Sequence, residues 1–285
     1  MEHALSYFTP GGLGFALGLT LMAGLATGLG SALAFFAKRT NLRLLSWSLA
    51  FSAGAMLCVS FMEILPKANA SLARSFGSSS AGWLATLGFF AGITVMAIID
   101  ALVPHADNPH ELRSDADLQR LKAPGHATVV PTGEQRLLRR MGLFTALAVA
   151  IHNFPEGVAT FLAAIEDPPG GIAIAFAVAL HNIPEGVSVS APIFYATGSR
   201  GRAFVYSFLS GLAEPLGGLF AAVTLDWLLA PHAVGLVFAS VAGVMVYVSL
   251  HELVPRARQY GRSHEVLAAI AGGMAVMAVS LLLLH

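Results

Sequence analysis

The chain has 285 residues, of which 56% are hydrophobic and only 11% charged, whereas a water-soluble domain carries about 25% charged residues. Lys and Arg number 16, as do Asp and Glu, so no net charge is available to hold a polyanion. These figures exclude a soluble enzyme, a disordered chain and a nucleic-acid binder. The single cysteine, Cys58, excludes a disulfide framework and a cysteine-rich zinc site.

A run of about 20 apolar residues crosses a bilayer as a helix. Eight stretches qualify: 12–36, 42–65, 82–103, 141–165, 171–195, 203–229, 232–254 and 264–284. Residues 1–285 therefore read as a single polytopic, all-α membrane domain. The first span has no basic flank before it and no clean small-residue cleavage site after it, so it is expected to stay in the membrane. The second span contains Phe51-Ser52-Ala53-Gly54-Ala55-Met56 and ends in Met62-Glu63-Ile64-Leu65-Pro66. The third carries Asp100 near its end, at the membrane edge. Residues 104–139 follow, with Pro104, Pro109, Pro124, Pro131, mixed charges and His105, His110 and His126. That composition predicts a flexible loop. The fourth and fifth spans hold His152-Asn153-Phe154-Pro155-Glu156-Gly157 and His181-Asn182-Ile183-Pro184-Glu185-Gly186 near their middles. The sixth holds Gly211-Leu212-Ala213-Glu214-Pro215, and the seventh ends in His251-Glu252-Leu253-Val254-Pro255.

Basic residues collect on the cytoplasmic side of membrane proteins. With both termini outside, 14 of the 16 Lys and Arg residues fall inside, and only Lys67 and Arg74 remain outside. The loop 104–139 is then cytoplasmic. In this topology the fourth and fifth spans run in opposite directions, as do the second and seventh. Their shared motifs thus predict an inverted-topology repeat of 3+2+3 helices, an arrangement common in secondary transporters.

A charged side chain at mid-membrane costs about 2.5–3.5 kcal/mol on insertion scales. Glu156, Glu185 and Glu214 sit near span centres, and no Lys or Arg lies at that depth to offset them. Protonation, water or a bound cation must compensate. His152 and Glu156 are four residues apart and share a helix face, as do His181 and Glu185. One imidazole and one carboxylate from each of two helices could converge on one point, with Asn153 and Asn182 adding carbonyl oxygens. Glu214, and the thioether of Met56, could complete the set. Mixed nitrogen and oxygen donors suit zinc and neighbouring divalent ions. The donors suffice for two ions bridged by Glu156 and Glu185. Pro155 and Pro184 remove the hydrogen bonds to the Ile151 and Leu180 carbonyls and predict kinks that line a cavity. Glu63 and Glu252, near span ends, are candidate gates.

At the paired His-Asn-x-Pro-Glu-Gly motifs the chain resembles the ZIP family of divalent metal transporters, most of all its bacterial ZupT type. Glu214 and the Phe51–Met56 stretch match the family's sixth- and second-helix site segments. The resemblance implies inward transport of Zn²⁺, together with Fe²⁺, Mn²⁺, Co²⁺ and Cd²⁺. The site between the fourth and fifth helices would be formed by His152, Asn153, Glu156, His181, Asn182, Glu185 and Glu214, with Met56, and could hold two metals as bound substrate. It further implies a multi-pass protein of the inner cell membrane, a homodimer in the lipid bilayer, and elevator-like or rocking movement of one helix bundle against another. No cofactor and no nucleic-acid partner are expected. Metal would come in past Glu63 and leave past Glu252 toward the loop histidines. Two other readings compete: an intramembrane metal-dependent hydrolase and a metal sensor without flux. The first lacks a His-Glu-x-x-His motif, since Leu253-Val254-Pro255 follow His251-Glu252. The second needs no ligands at mid-membrane.

Overall fold

A computed structural model describes residues 10–36, 42–102, 132–224 and 230–284. Among these the elements are all helices. They are α1 (Pro10–Phe36), α2 (Leu42–Val59), α3 (Leu65–Phe76), α4 (Ser78–Leu102), α5 (Thr132–Glu166), α6 (Pro168–Thr197), α7 (Arg200–Gly211), α8 (Ala213–Val223), α9 (Pro231–Val248), α10 (Val254–Tyr260) and α11 (Ser263–Leu284). A five-residue π-helical turn, Ser60–Ile64, welds α2 to α3, and a second, Ser249–Leu253, welds α9 to α10. Seven described stretches are long and apolar enough to cross a bilayer. The eighth expected span, 141–165, lies within α5.

The helices differ from expectation in two places. α5 begins at Thr132, so the end of the loop predicted over 104–139 is helical; the histidines of that loop lie outside the described residues. The sixth span breaks at Leu212 into α7 and α8. The α5 and α6 helices run on through Pro155 and Pro184 without a break.

The eight spans sort into two bundles. Spans one, four, five and six pack on one another, as do spans two, three, seven and eight; between the bundles the main contact is α2 on α6. Glycines set the closest approaches, and they come in matching pairs. A Cβ at Gly157 would lie 1.9 Å from the Glu214 carbonyl oxygen, and one at Gly186 would lie 1.9 Å from that of Thr27. Gly217 meets the Phe154 carbonyl as Gly30 meets that of Ile183. In the other bundle Gly54 meets Ile270 as Gly243 meets Phe89, and Gly273 meets Phe51 as Gly92 meets Ser240. A Cβ at Gly24 would lie 2.5 Å from the Gly211 carbonyl oxygen, and one at Gly211 the same 2.5 Å from that of Gly24, so this pair mirrors itself. The pairs relate span one to six, two to seven, three to eight and four to five. That is the inverted 3+2+3 repeat read from backbone contacts. All of these nests lie within a bundle, so each bundle is fastened by backbone against backbone.

The π turns obey the same symmetry. Both read Ser-x-x-Glu-x-x-Pro. Ser60 Oγ donates to the Met56 carbonyl and Ser249 Oγ to that of Met245, each at 2.7 Å. The N–H of Leu65 reaches back to Ser60 O, and that of Val254 to Ser249 O. Pro66 and Pro255 carry no N–H, so the ladder shifts by one residue just before them.

Candidate metal site

α5 and α6 cross near their midpoints and carry the two hexapeptide motifs. His152, Asn153, Glu156, His181, Asn182, Glu185 and Glu214 are all buried, none more than 2% exposed. The glycine at the end of each motif lets a neighbour's backbone press in, Glu214 on Gly157 and Thr27 on Gly186. Those contacts place the four histidine and glutamate side chains between the two helices.

The motifs pair crosswise. His152 Nε2 lies 2.9 Å from Glu185 Oε1, and His181 Nε2 lies 3.3 Å from Glu156 Oε2. Asn182 Nδ2 donates to Glu214 Oε2 at 2.6 Å and to the Ala23 carbonyl at 2.9 Å. Each histidine thus answers the carboxylate of the other helix, a pairing that spacing along one helix could not reveal. Every buried carboxylate has a donor on one oxygen, which is how three acids are tolerated at this depth.

The other sides of these groups are orphaned. Glu156 Oε1, Glu185 Oε2, Glu214 Oε1, Asn182 Oδ1, His181 Nδ1 and both amide atoms of Asn153 have no hydrogen-bond partner among the described residues. Most of these atoms are acceptors, the donor set a divalent cation takes. Among the described residues no three His, Cys, Asp or Glu side chains cluster tightly enough to hold an ion as they stand. The pairs would have to open for the oxygens to turn inward.

Met56 is fully buried in the main apolar core. It lies one turn beyond Ser52, whose Oγ donates to the His181 carbonyl at 3.3 Å. That hydrogen bond joins the two bundles at the depth of the site. The outlying acids differ from expectation. Glu63 and Glu252 are not at solvated helix ends. Both lie inside continuous helices, in the π turns, and are buried. Glu63 Oε1 is 3.0 Å from Lys67 Nζ, and Glu252 Oε1 is 3.3 Å from Arg256. Asp100, expected to be interfacial, is buried and accepts from the Tyr247 hydroxyl at 3.2 Å.

Three residues escaped the sequence reading. Ser52 and Thr27 looked like ordinary small residues. Thr27 occupies the place in α1 that mirrors Glu214, by the matching carbonyl contacts on Gly186 and Gly157. Its hydroxyl is buried without a partner among the described residues. Ser60 belongs to the Ser-x-x-Glu-x-x-Pro pattern, whose recurrence at Ser249 was the available signal.

The ZIP Zinc transporter family pattern matches residues 104–281. The chain is 51% identical to the zinc transporter ZupT of Lysinibacillus sphaericus over 269 residues, covering 94% of this chain and 97% of that one. It is 52% identical to the zinc transporter ZupT of Chlorobaculum parvum over the same shares. With that of Clostridium perfringens it shares 50%, over 93% and 94% of the two chains. The chain belongs to the ZIP zinc transporter family. ZIP membership places it among transport proteins rather than enzymes, which does not favour the hydrolase reading. The eight-span helical architecture is that of a multi-pass membrane protein.

Proposed function

We propose that this ZIP-family chain imports Zn²⁺ across the cell membrane through the crossed motifs of α5 and α6. The carrying observation is the set of buried acceptor atoms left without a partner beside the His152–Glu185 and His181–Glu156 pairs. A dipositive ion arriving there would part the pairs. The carboxylates of Glu156 and Glu185 would turn from imidazole to metal, and the freed imidazole nitrogens could follow as ligands. Asn153, Asn182 and Glu214 would add oxygens, enough for one ion or for two bridged by the glutamates. Met56 would approach from the opposite bundle. Fe²⁺, Mn²⁺, Co²⁺ and Cd²⁺ accept the same donors.

Transport needs the site to face one side at a time. The glycine nests hold each bundle as a unit, while the bundles meet one another through side chains. Movement of spans one, four, five and six against the rest therefore disturbs few close contacts. Glu63 lies toward the outside and Glu252 toward the inside, which suits them as gates. The apolar surface on α4, where Trp83 is 76% and Leu87 65% exposed, suits contact with lipid or with a second copy in a homodimer.

The test is Zn²⁺ uptake into proteoliposomes carrying a trapped fluorescent indicator. Wild type should take up zinc and a His152→Ala/Glu185→Ala variant should not. A folded wild type that binds zinc but gives no uptake would sink the reading.

A further inference from the structure

Lys67 and Arg74 are the two basic residues that the topology leaves outside, and both reach the same place. Lys67 Nζ lies 3.0 Å from Asp167 Oδ2 while also holding Glu63. Arg74 pairs with Glu166. Glu166 and Asp167 form the tight connection between α5 and α6, the outer tip of the bundle that carries the motifs. Glu63, Lys67, Ser71 and Arg74 line one face of the other bundle's second span, at spacings of four, four and three. The backbone of α3 packs on α9 and α4, so the long basic side chains are what span from α3 to the tip. Gly170 completes the seat: a Cβ there would lie 2.1 Å from Lys67 Nζ and 2.3 Å from Asp167 Oδ2.

The inner ends are built differently. The inner counterpart of Glu63–Lys67 is Glu252–Arg256, a pair within one helix. Arg43 grips Glu265 at 2.5 Å, but α2 and α11 belong to the same bundle. Glu252–Arg256 and Arg43–Glu265 each lie within one bundle, whereas Lys67–Asp167 and Arg74–Glu166 cross from one bundle to the other.

We propose that Lys67–Asp167 and Arg74–Glu166 form an outer latch, which holds the tip of the moving bundle against α3 and must part each time the site faces outward. The inference rests on the two-bundle movement proposed above. Partly exposed ion pairs are individually weak. The two together bias the equilibrium roughly three- to tenfold toward the closed outer face, enough to set a population without locking it.

Ser71 reports the latch. It is fully buried between Lys67 and Arg74 and accepts from Arg74 at 3.0 Å. In a Cys58→Ala/Ser71→Cys protein, a membrane-impermeant maleimide is applied to intact cells. Adding Asp167→Asn and Glu166→Gln should speed labelling roughly three- to tenfold. Gly170→Ala, which changes no charge, should also speed it. The exchange Arg74→Glu/Glu166→Arg should restore the slow rate. In proteins that keep Ser71, the Asp167→Asn/Glu166→Gln variant should show a lower apparent KM for outside zinc by a similar factor, because more molecules are open to receive it. Unchanged labelling and unchanged KM would overturn the latch, as would fast labelling in the exchanged pair. None of these residues touches the crossed motifs. If the His152→Ala/Glu185→Ala variant loses uptake while labelling never moves, the latch alone falls. If that variant keeps its uptake while labelling responds, the transport route falls and the latch stands.

Discussion

The two bundles share one internal symmetry, yet they bury opposite chemistry. Spans one, four, five and six enclose His152, Asn153, Glu156, His181, Asn182, Glu185 and Glu214 at their centre. Spans two, three, seven and eight enclose Met56, Phe238, Met245 and Met277, and keep their acids, Glu63, Asp100 and Glu252, away from mid-membrane. Under the proposed movement, an ion held by the first bundle would slide along a wall with almost nothing to capture it. Were the carboxylates shared between bundles, movement would tear the site apart. With the charge concentrated in one rigid body, the proposed ligands would travel together.

The largest effect should come from breaking that rigidity. Gly157→Val or Gly186→Val puts a branched side chain where even a Cβ would sit 1.9 Å from a backbone oxygen. A loss of about 3 kcal/mol or more is expected, read as a collapse of thermal stability in detergent. Gly82→Ala, with open space around it, should hold or gain by about 0.5–1 kcal/mol. If the Gly157 and Gly186 variants melted like Gly82→Ala, the bundles would not be rigid units.

Next comes the mirrored pair Glu214 and Thr27. Glu214→Gln should weaken zinc binding by at least about tenfold by calorimetry. Thr27→Val, which removes an unpartnered buried hydroxyl, should leave affinity intact and stability equal or slightly raised. Equal losses at both positions would mean that the bundle is functionally symmetric. A smaller, graded effect should follow pH. Protons and metal compete for the oxygens of Glu156, Glu185 and Glu214, so zinc affinity should fall steadily from about pH 8 to about pH 5. A flat profile would remove the carboxylates from the site. Ser52→Ala should matter least to stability, about 1 kcal/mol or below, since one hydroxyl–carbonyl bond is lost. It should alter the rate of uptake more than equilibrium binding, because that bond links the bundles.

Much of the fold was legible because bilayer thickness imposes length and apolarity on every span. The motif copies in α5 and α6 also betrayed half of the symmetry. The rest depended on partners far apart in the chain. That Gly54 faces Ile270 as Gly243 faces Phe89 cannot be seen in a composition or a period. Within the site, helical spacing placed His152 beside Glu156, but which acid each imidazole meets depends on how two helices cross. The crossed pairs could not be foreseen for that reason. The end of α5 nearest the loop was misjudged because a polar stretch, Thr132 onward, reads as loop although a helix can extend into it beyond the membrane. Glu63 and Glu252 were misplaced because the helices continue past Pro66 and Pro255 instead of ending there.

The π turns have one more consequence. Each holds one residue more than an α-helix would need, and its wider i→i+5 turn absorbs that residue, so the helix beyond keeps its phase. Deleting a single residue from Ser60–Ile64 would close the turn to an ordinary α-helical one and leave Lys67 and Arg74 facing the α5–α6 tip. The same deletion made in the plain helix of α2 would rotate α3 by about 100° and draw it in by about 1.5 Å. The π turn is therefore the place where this span can lose a residue without moving the charges that fasten the outer face.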